Sequence, residues 1–315
     1  MERAGPLWYS LACPRGRTTH PAESPLAEAA LASVRNYLAL TKPGVLLLVI
    51  FTGLPALVLA AGAWPPAGFA AATLLGIALA AAAANSFNCY LERDRDALMA
   101  RTRQRPLPSA RLAPGRALAF AWALALLSTA LLWSVAGAAP AALGVASILF
   151  YVFVYTVWLK PRSAWNAVVG GAAGASAPLI ADAAVNGHVG LAGWLLFAIV
   201  FLWQPPHVWA IALFRKSDYA AAGIPMLPSV IGDEPTRRRM LWYTLALVPV
   251  TLAPVPLGML GWLYLAAALA LDAWFVWHAL RVLRERSDAA ARRLFQVSLV
   301  YLFALFLAML ADLAI

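Results

Sequence analysis

Along this chain, apolar residues gather in long runs separated by polar connections. Nine runs, near 45–62, 66–88, 117–135, 138–158, 165–184, 191–213, 240–257, 260–280 and 294–314, match or approach the roughly 20 residues a helix needs to cross a bilayer core. The pattern predicts an all-α, polytopic membrane protein with nine transmembrane helices. The connections alternate in charge. Those around 63–65, 136–137, 185–190 and 258–259 hold no Lys or Arg. All 24 basic residues lie in the others: the N-terminal segment (Arg3, Arg15, Arg17, Arg35, Lys42), the 89–116 loop, Lys160 with Arg162, the 214–239 loop, and the cluster from Arg281 to Arg293. The positive-inside rule then puts the N-terminus in the cytoplasm and, after nine crossings, Ile315 outside.

Residues 1–35, with scattered Pro, Gly, Thr and Ser and no long apolar core, are expected to form a poorly ordered extension to a membrane domain at 36–315. The segment is not a secretory signal. Glu2, Glu23 and Glu28 also interrupt what a mitochondrial transit peptide would keep nearly free of acid, so a bacterial inner membrane is favoured over a mitochondrial one. Composition agrees: 63% hydrophobic and 12% charged is about half the charge of a soluble domain. The net charge of +10 would suggest nucleic acid in a soluble protein. Here the one-sided loops account for it, and no nucleic-acid partner is expected. Cys13 and Cys89 lack ligand-spaced partners, which argues against a disulfide scaffold, a zinc module or a redox pair.

Candidate chemistry is densest after the second run. If that helix continues past the membrane surface, Asn88, Glu92 and Asp96 share one face. Three oxygen-bearing side chains so spaced suit Mg²⁺, which keeps part of its shell for water and substrate phosphates. Asp94 stands beside them as an outer-shell candidate. Arg101 and Arg105 follow, able to meet phosphates from the other side. The alternative is an acid–base strip that only anchors the helix end. Lys160 and Arg162 add two cations in the next basic turn, and Gly170, Gly171 and Gly174 beyond it allow close helix packing. In the sixth run, Pro205 and Pro206 remove two backbone donors, which predicts a break lining a cavity. His207 follows, roughly 12 Å inside Arg215 along the helix, either a functional group or a histidine bonded within the bundle. Asp218 lies in the next basic loop, before the turn residues Gly223, Pro225 and Pro228. Asp182, Asp272, Asp312, His20, His188 and His278 receive no role.

The string from Asn88 through Glu92, Asp94, Asp96, Met99, Arg101, Thr102 and Arg105 to Leu107 resembles the first polar motif of the protoheme IX farnesyltransferase (haem O synthase) family, within the UbiA-type intramembrane prenyltransferases. The likeness extends through Tyr37 to Pro43, Tyr155 with Thr156 and Lys160, Asn166 to Pro178, and Trp203-Gln204-x-Pro206-His207. It continues through Asp218 to Pro228 and Leu294 to Leu302. Three positions depart from the pattern: Glu92 where Asp is usual, Gly44 where Arg is common, and Asp182 in place of an apolar or aromatic residue.

The resemblance implies a bundle with a cytoplasm-facing intramembrane chamber, and transfer of the farnesyl group of farnesyl diphosphate to a vinyl group of haem B, a substrate and not a cofactor. It implies Mg²⁺ held by Asn88, Glu92, Asp96 and Asp218. Diphosphate would be held by Arg101, Arg105, Lys160 and Arg162, with Lys42 a further candidate, and His207 would lie on the haem side. A haem A synthase or terminal-oxidase assembly factors are the implied protein partners. The competing readings are a prenyltransferase for another aromatic or quinone-precursor acceptor, and an anion transporter. Transport would call for repeated halves with broken helices, which the sequence does not display.

Overall fold

The computed structural model describes residues 25–315. The chain divides into two units at Arg35, of which the second, Asn36–Ile315, is compact. The first described helix is α1 (Pro25–Thr41). Residues 25–35 are therefore helical, and the remainder of the expected extension, 1–24, with Arg3, Cys13, Arg15, Arg17 and His20, lies outside the described residues.

The second unit is helical, with no strand among the described residues. After α1 come α2 (Pro43–Ala61), α3 (Ala67–Leu91), the short α4 (Arg93–Leu98), α5 (Pro114–Ala136) and α6 (Ala138–Leu149), which runs on as a π-helical segment, Phe150–Leu159. Then follow α7 (Asn166–Gly174), α8 (Ser176–Asn186), α9 (Leu191–Phe214), the short α10 (Lys216–Ala221) and α11 (Leu227–Ile231), α12 (Asp233–Leu252), α13 (Trp262–Glu285) and α14 (Asp288–Asp312). Helix ends follow local chemistry. Pro43 and Pro114 stand in the first turns of α2 and α5, where a missing N–H costs nothing, and Gly62 at φ 64° ends α2.

Eight segments are long and apolar enough to cross a membrane, with α6 plus its π segment and α7 plus α8 each counting as one. The expected span at 240–257 falls on α12 and does not reach full length. Arg237, Arg238 and Arg239 occupy its first turns, and the helix ends at Leu252, before Pro254 and Pro256. The stretch from Met240 to Leu252 rises about 20 Å, short of a core of about 30 Å. α12 nevertheless starts among the basic loops, where Arg286 pairs with Glu234 at 3.4 Å, and ends against α13, where the Tyr264 hydroxyl donates to the Thr251 carbonyl at 2.7 Å.

The expected break in the sixth span is absent: α9 continues through Pro205 and Pro206. Proline already holds the helical φ, and both rings are buried in a helix packed by α7, α8, α12 and α14. The interruption falls in the fifth span instead, at Ala175 between α7 and α8.

The three intramembrane acids hold the fold. Asp182 accepts from the backbone N–H groups of Gly190 (2.7 Å) and Gly193 (2.9 Å) at the start of α9. Asp312 accepts from Gly261 and Tyr264 at the start of α13. Both satisfy donors that helix starts leave unpaired. Asp272, in the core, accepts from Tyr301 at 2.6 Å and Thr251 at 2.7 Å.

Candidate functional site

The end of α3, the junction of α1 and α2, and the π segment meet at the basic end of the bundle. Asn88 is the hub. Its Oδ1 accepts from Lys42 Nζ at 2.8 Å, and its Nδ2 donates to Thr156 Oγ1 at 3.1 Å. One turn on, the Glu92 carboxylate lies 2.6 Å from Lys160 Nζ. Beyond it, Asp96 Oδ2 accepts from Arg105 Nη1 at 2.7 Å. Asn88, Glu92 and Asp96 are all buried, at 1%, 4% and 2% exposure. The helix expected to carry all three is interrupted at Glu92, between α3 and α4, and each member faces a cation or a hydroxyl from another segment.

Local backbone features place these partners. Lys42 adopts the left-handed conformation, φ 55°, which costs energy in a residue with a Cβ and recurs at functional sites. Here it turns the chain into α2 with the ammonium group on Asn88. The π segment lets Thr156 donate to the Tyr151 carbonyl five residues back, at 2.8 Å, while receiving Asn88, and carries Lys160 at its end. Such wide turns often mark functional sites. The glycines beyond them serve packing. A Cβ at Gly170 would lie 2.3 Å from the Tyr155 ring, and one at Gly174 would lie 2.0 Å from Gln204 Nε2.

The charges act on one another. Burial pushes Lys42 below the ordinary lysine range, and Lys160 and Arg105 add to that push. Burial also acts against a charged Lys160, but Tyr155, Glu92 and Tyr151 outweigh it and hold this lysine above its usual range. Lys160 and Arg105 are each paired with a carboxylate, whereas Lys42, among the described residues, bonds only the neutral Asn88, so this half-buried lysine is the cation that gains by receiving a polyanion. Above it lies an apolar cavity lined by Val45, Val49, Ile77, Ala80 and Ile180, with Lys42, Asn85 and Tyr151 on its polar side.

Other expected residues lie apart. Arg101 and Asp94 are exposed. Arg162 is exposed too, and its Nη1 donates to the Val157 and Trp158 carbonyls at 2.8 and 3.1 Å, so it ends the π segment instead of joining the cluster. His207 does not line the cavity. It stacks on Trp203, with ring centres 4.5 Å apart, and packs beside Phe295. Its Nδ1 lies 2.7 Å from Ser298 Oγ on α14, so its partner is a hydroxyl and not a carbonyl freed by the prolines. Asp218 is held loosely, 3.7 Å from Arg215.

Sequence reasoning missed Thr156 as a partner of Asn88, and Ser298 as the partner of His207. Their polarity inside apolar runs was the available signal. Among the described residues, no group of three or more His, Cys, Asp or Glu is gathered as for a metal ion. The donors nonetheless suit a hard cation. Asp218 Oδ2 is a buried oxygen without a hydrogen-bond partner, 3.7 Å from the Arg215 guanidinium, and such a group favours a nearby positive charge, whereas both Glu92 oxygens already lie against Lys160 Nζ.

The UbiA prenyltransferase family model matches residues 47–310. The protoheme IX farnesyltransferase of Acidiphilium cryptum is 48% identical over 291 residues, covering 89% of this chain and 91% of that protein. Among solved structures, a digeranylgeranylglyceryl phosphate synthase aligns with a TM-score of 0.75 at 17% identity, covering 89% of this chain and 98% of that one. A UbiA homologue from Archaeoglobus fulgidus bound to GPP and Mg²⁺ aligns at 0.60 and 16%, covering 89% and 100%. Helical architecture, half-buried cations around buried acids beside an apolar chamber, and extended sequence identity converge: the chain belongs to the UbiA prenyltransferase family.

Proposed function

We propose that this enzyme transfers the farnesyl group of farnesyl diphosphate to a vinyl group of haem B, giving haem O. The observation that carries the reading is the set of half-buried cations Lys42, Lys160 and Arg105 around the buried Asn88, Glu92 and Asp96, next to an apolar cavity that Lys42 lines. The identity to protoheme IX farnesyltransferases supplies the acceptor. Ionising an allylic diphosphate demands fixed positive charge where the leaving group gains negative charge. Lys42, Lys160 and Arg105 hold that position, and the exposed Arg101 is the residue an arriving diphosphate meets first. Val45, Val49, Ile77 and Ile180 keep water from the allylic cation until the vinyl group attacks.

Asn88, Glu92, Asp96 and Asp218 are the residues that would hold Mg²⁺, with Asp94 as an outer-shell group. Mg²⁺ supplies Lewis-acid neutralisation of the diphosphate. The homologue bound to GPP and Mg²⁺ supports that choice. Purified protein given haem B, farnesyl diphosphate and Mg²⁺ should yield a product heavier by one farnesyl group and one hydroxyl, with diphosphate and the proton of the attacking water released. Prenylation of a quinone precursor with no product from haem B would move the chain to the other acceptor class.

His207 is proposed to meet haem. Its Nδ1 is bound to Ser298, and its Nε2 has no hydrogen-bond partner among the described residues. His207→Ala should weaken haem B binding or shift its spectrum while farnesyl diphosphate binding changes little. A lower melting temperature with unaltered haem affinity would leave the histidine as packing for α14.

The proposed setting is a bacterial inner membrane with the N-terminus and the basic loops in the cytoplasm, and with α12 completing nine crossings. A haem A synthase or an oxidase assembly factor would receive the product. A reporter fused after Ile315 should behave as periplasmic, and cytoplasmic behaviour would mean that α12 does not cross.

A further inference from the structure

A groove on the outer face of the bundle shares no lining residue with the chamber. It lies between α3, α5 and the α6–π rod, with Phe87, Ile148 and Val152 as its buried floor and Trp122, Leu126 and Phe153 on its rims. Leu126 and Phe153 are 68% and 59% exposed, so the groove opens toward lipid. Its volume of about 440 Å³ falls in the range of ligand pockets.

Its basic end separates it from ordinary lipid-facing surface. Tyr90 and Leu91 of α3 and Val157 of the π segment line the groove there. Arg93 Nη1 donates to the Tyr90 carbonyl at 2.8 Å, and its guanidinium lies 4.9 Å from the centre of the Tyr90 ring. Arg162 Nη1 donates to the Val157 carbonyl. Two guanidinium groups are thus fastened by one nitrogen each to residues lining the same mouth. Among the described residues their other nitrogens make no hydrogen bond to protein. Asp94 approaches Arg93 only to 3.8 Å and is 86% exposed, so water screens that contact. A guanidinium retains parallel donors for phosphate oxygens, and basic pockets between membrane helices on the cytoplasmic side suit anionic head groups.

We propose that this groove holds an acyl chain of an anionic glycerophospholipid, with its phosphate between Arg93 and Arg162. The lipid would wedge α3 against the π segment, the two elements that carry Asn88, Glu92, Thr156 and Lys160.

The test uses full-length protein, stripped of lipid in detergent and offered equal amounts of phosphatidylglycerol and phosphatidylcholine, with retained lipid counted by native mass spectrometry. The wild type should keep one phosphatidylglycerol per chain in preference to phosphatidylcholine. Replacing both arginines (Arg93→Gln, Arg162→Gln) should lower that retention by an order of magnitude or more, since each contributes to the surface attraction. Ala125→Trp, which fills the groove, should remove the lipid while leaving the arginines in place. Equal retention of the two lipids, unchanged retention in the arginine variant, or displacement of the lipid by stoichiometric farnesyl diphosphate would each overturn the proposal, the last by making the groove a substrate site.

Discussion

Glu92→Gln and Asp96→Asn should each reduce turnover by on the order of a hundredfold or more, the scale seen when a charge-stabilising group is removed from a buried site. Both side chains are buried and each carries a cation at hydrogen-bond distance, 2.6 Å for Glu92 and 2.7 Å for Asp96. Neutralising either removes a carboxylate that would hold Mg²⁺ and leaves its cation without a counter-charge. The second effect reaches stability. Lys160 is 16% exposed and Arg105 30%, so the guanidinium recovers hydration more readily than the ammonium group. Glu92→Gln should therefore lower the melting temperature more than Asp96→Asn. Titration with the Mg²⁺–diphosphate complex separates the two effects, because folded protein of either variant should bind it more weakly than wild type. Near-normal turnover of both variants at limiting Mg²⁺ would remove these residues from the metal site.

Arg105→Lys should lose about ten- to a hundredfold in kcat/KM, the equivalent of one or two charge-assisted hydrogen bonds, although the charge is kept. Arg105 spends Nη1 on Asp96 and retains the rest of its planar fork for diphosphate. A lysine at this place cannot serve both partners with the same geometry. Arg101→Lys should cost much less, because Arg101 is exposed and acts mainly through its field, which salt screens. Raising ionic strength should accordingly narrow the difference between Arg101→Lys and wild type and leave the Arg105→Lys defect in place. Equal activity of the two lysine variants would mean that both arginines supply only a general positive field.

Much of the cluster was legible because it is local. Asn88, Glu92 and Asp96 stand four residues apart, and helical periodicity alone predicts a shared face for them. Their partners were legible only as a population of cations. Nothing in the order of the chain says that Lys160 reaches Glu92 while Arg162, two residues away, turns to the Val157 carbonyl. That division depends on where the π segment ends, and a π turn leaves no periodic trace in an all-apolar run. Asp182 and Asp312 received no role because the N–H groups they satisfy lie across a loop or on another helix. The prolines of α9 were misread for a related reason: their effect is settled by packing with neighbouring helices, and a single segment carries no record of its neighbours.

The sequence by itself determined the membrane class, the helical architecture and eight of the spans, because hydrophobic run length reports directly on a bilayer. It also singled out Asn88, Glu92 and Asp96, which the structure shows buried and each bound to a different partner. Tertiary structure alone decided that Lys42 and Thr156 meet at Asn88, that Gly174 yields its space to Gln204, that the fifth span breaks in place of the sixth, and that α12 is short. The physical reason is the same in each case. Local propensity acts over a few residues along the chain, whereas these features arise from close packing and buried charge pairing between segments that are up to about seventy residues apart.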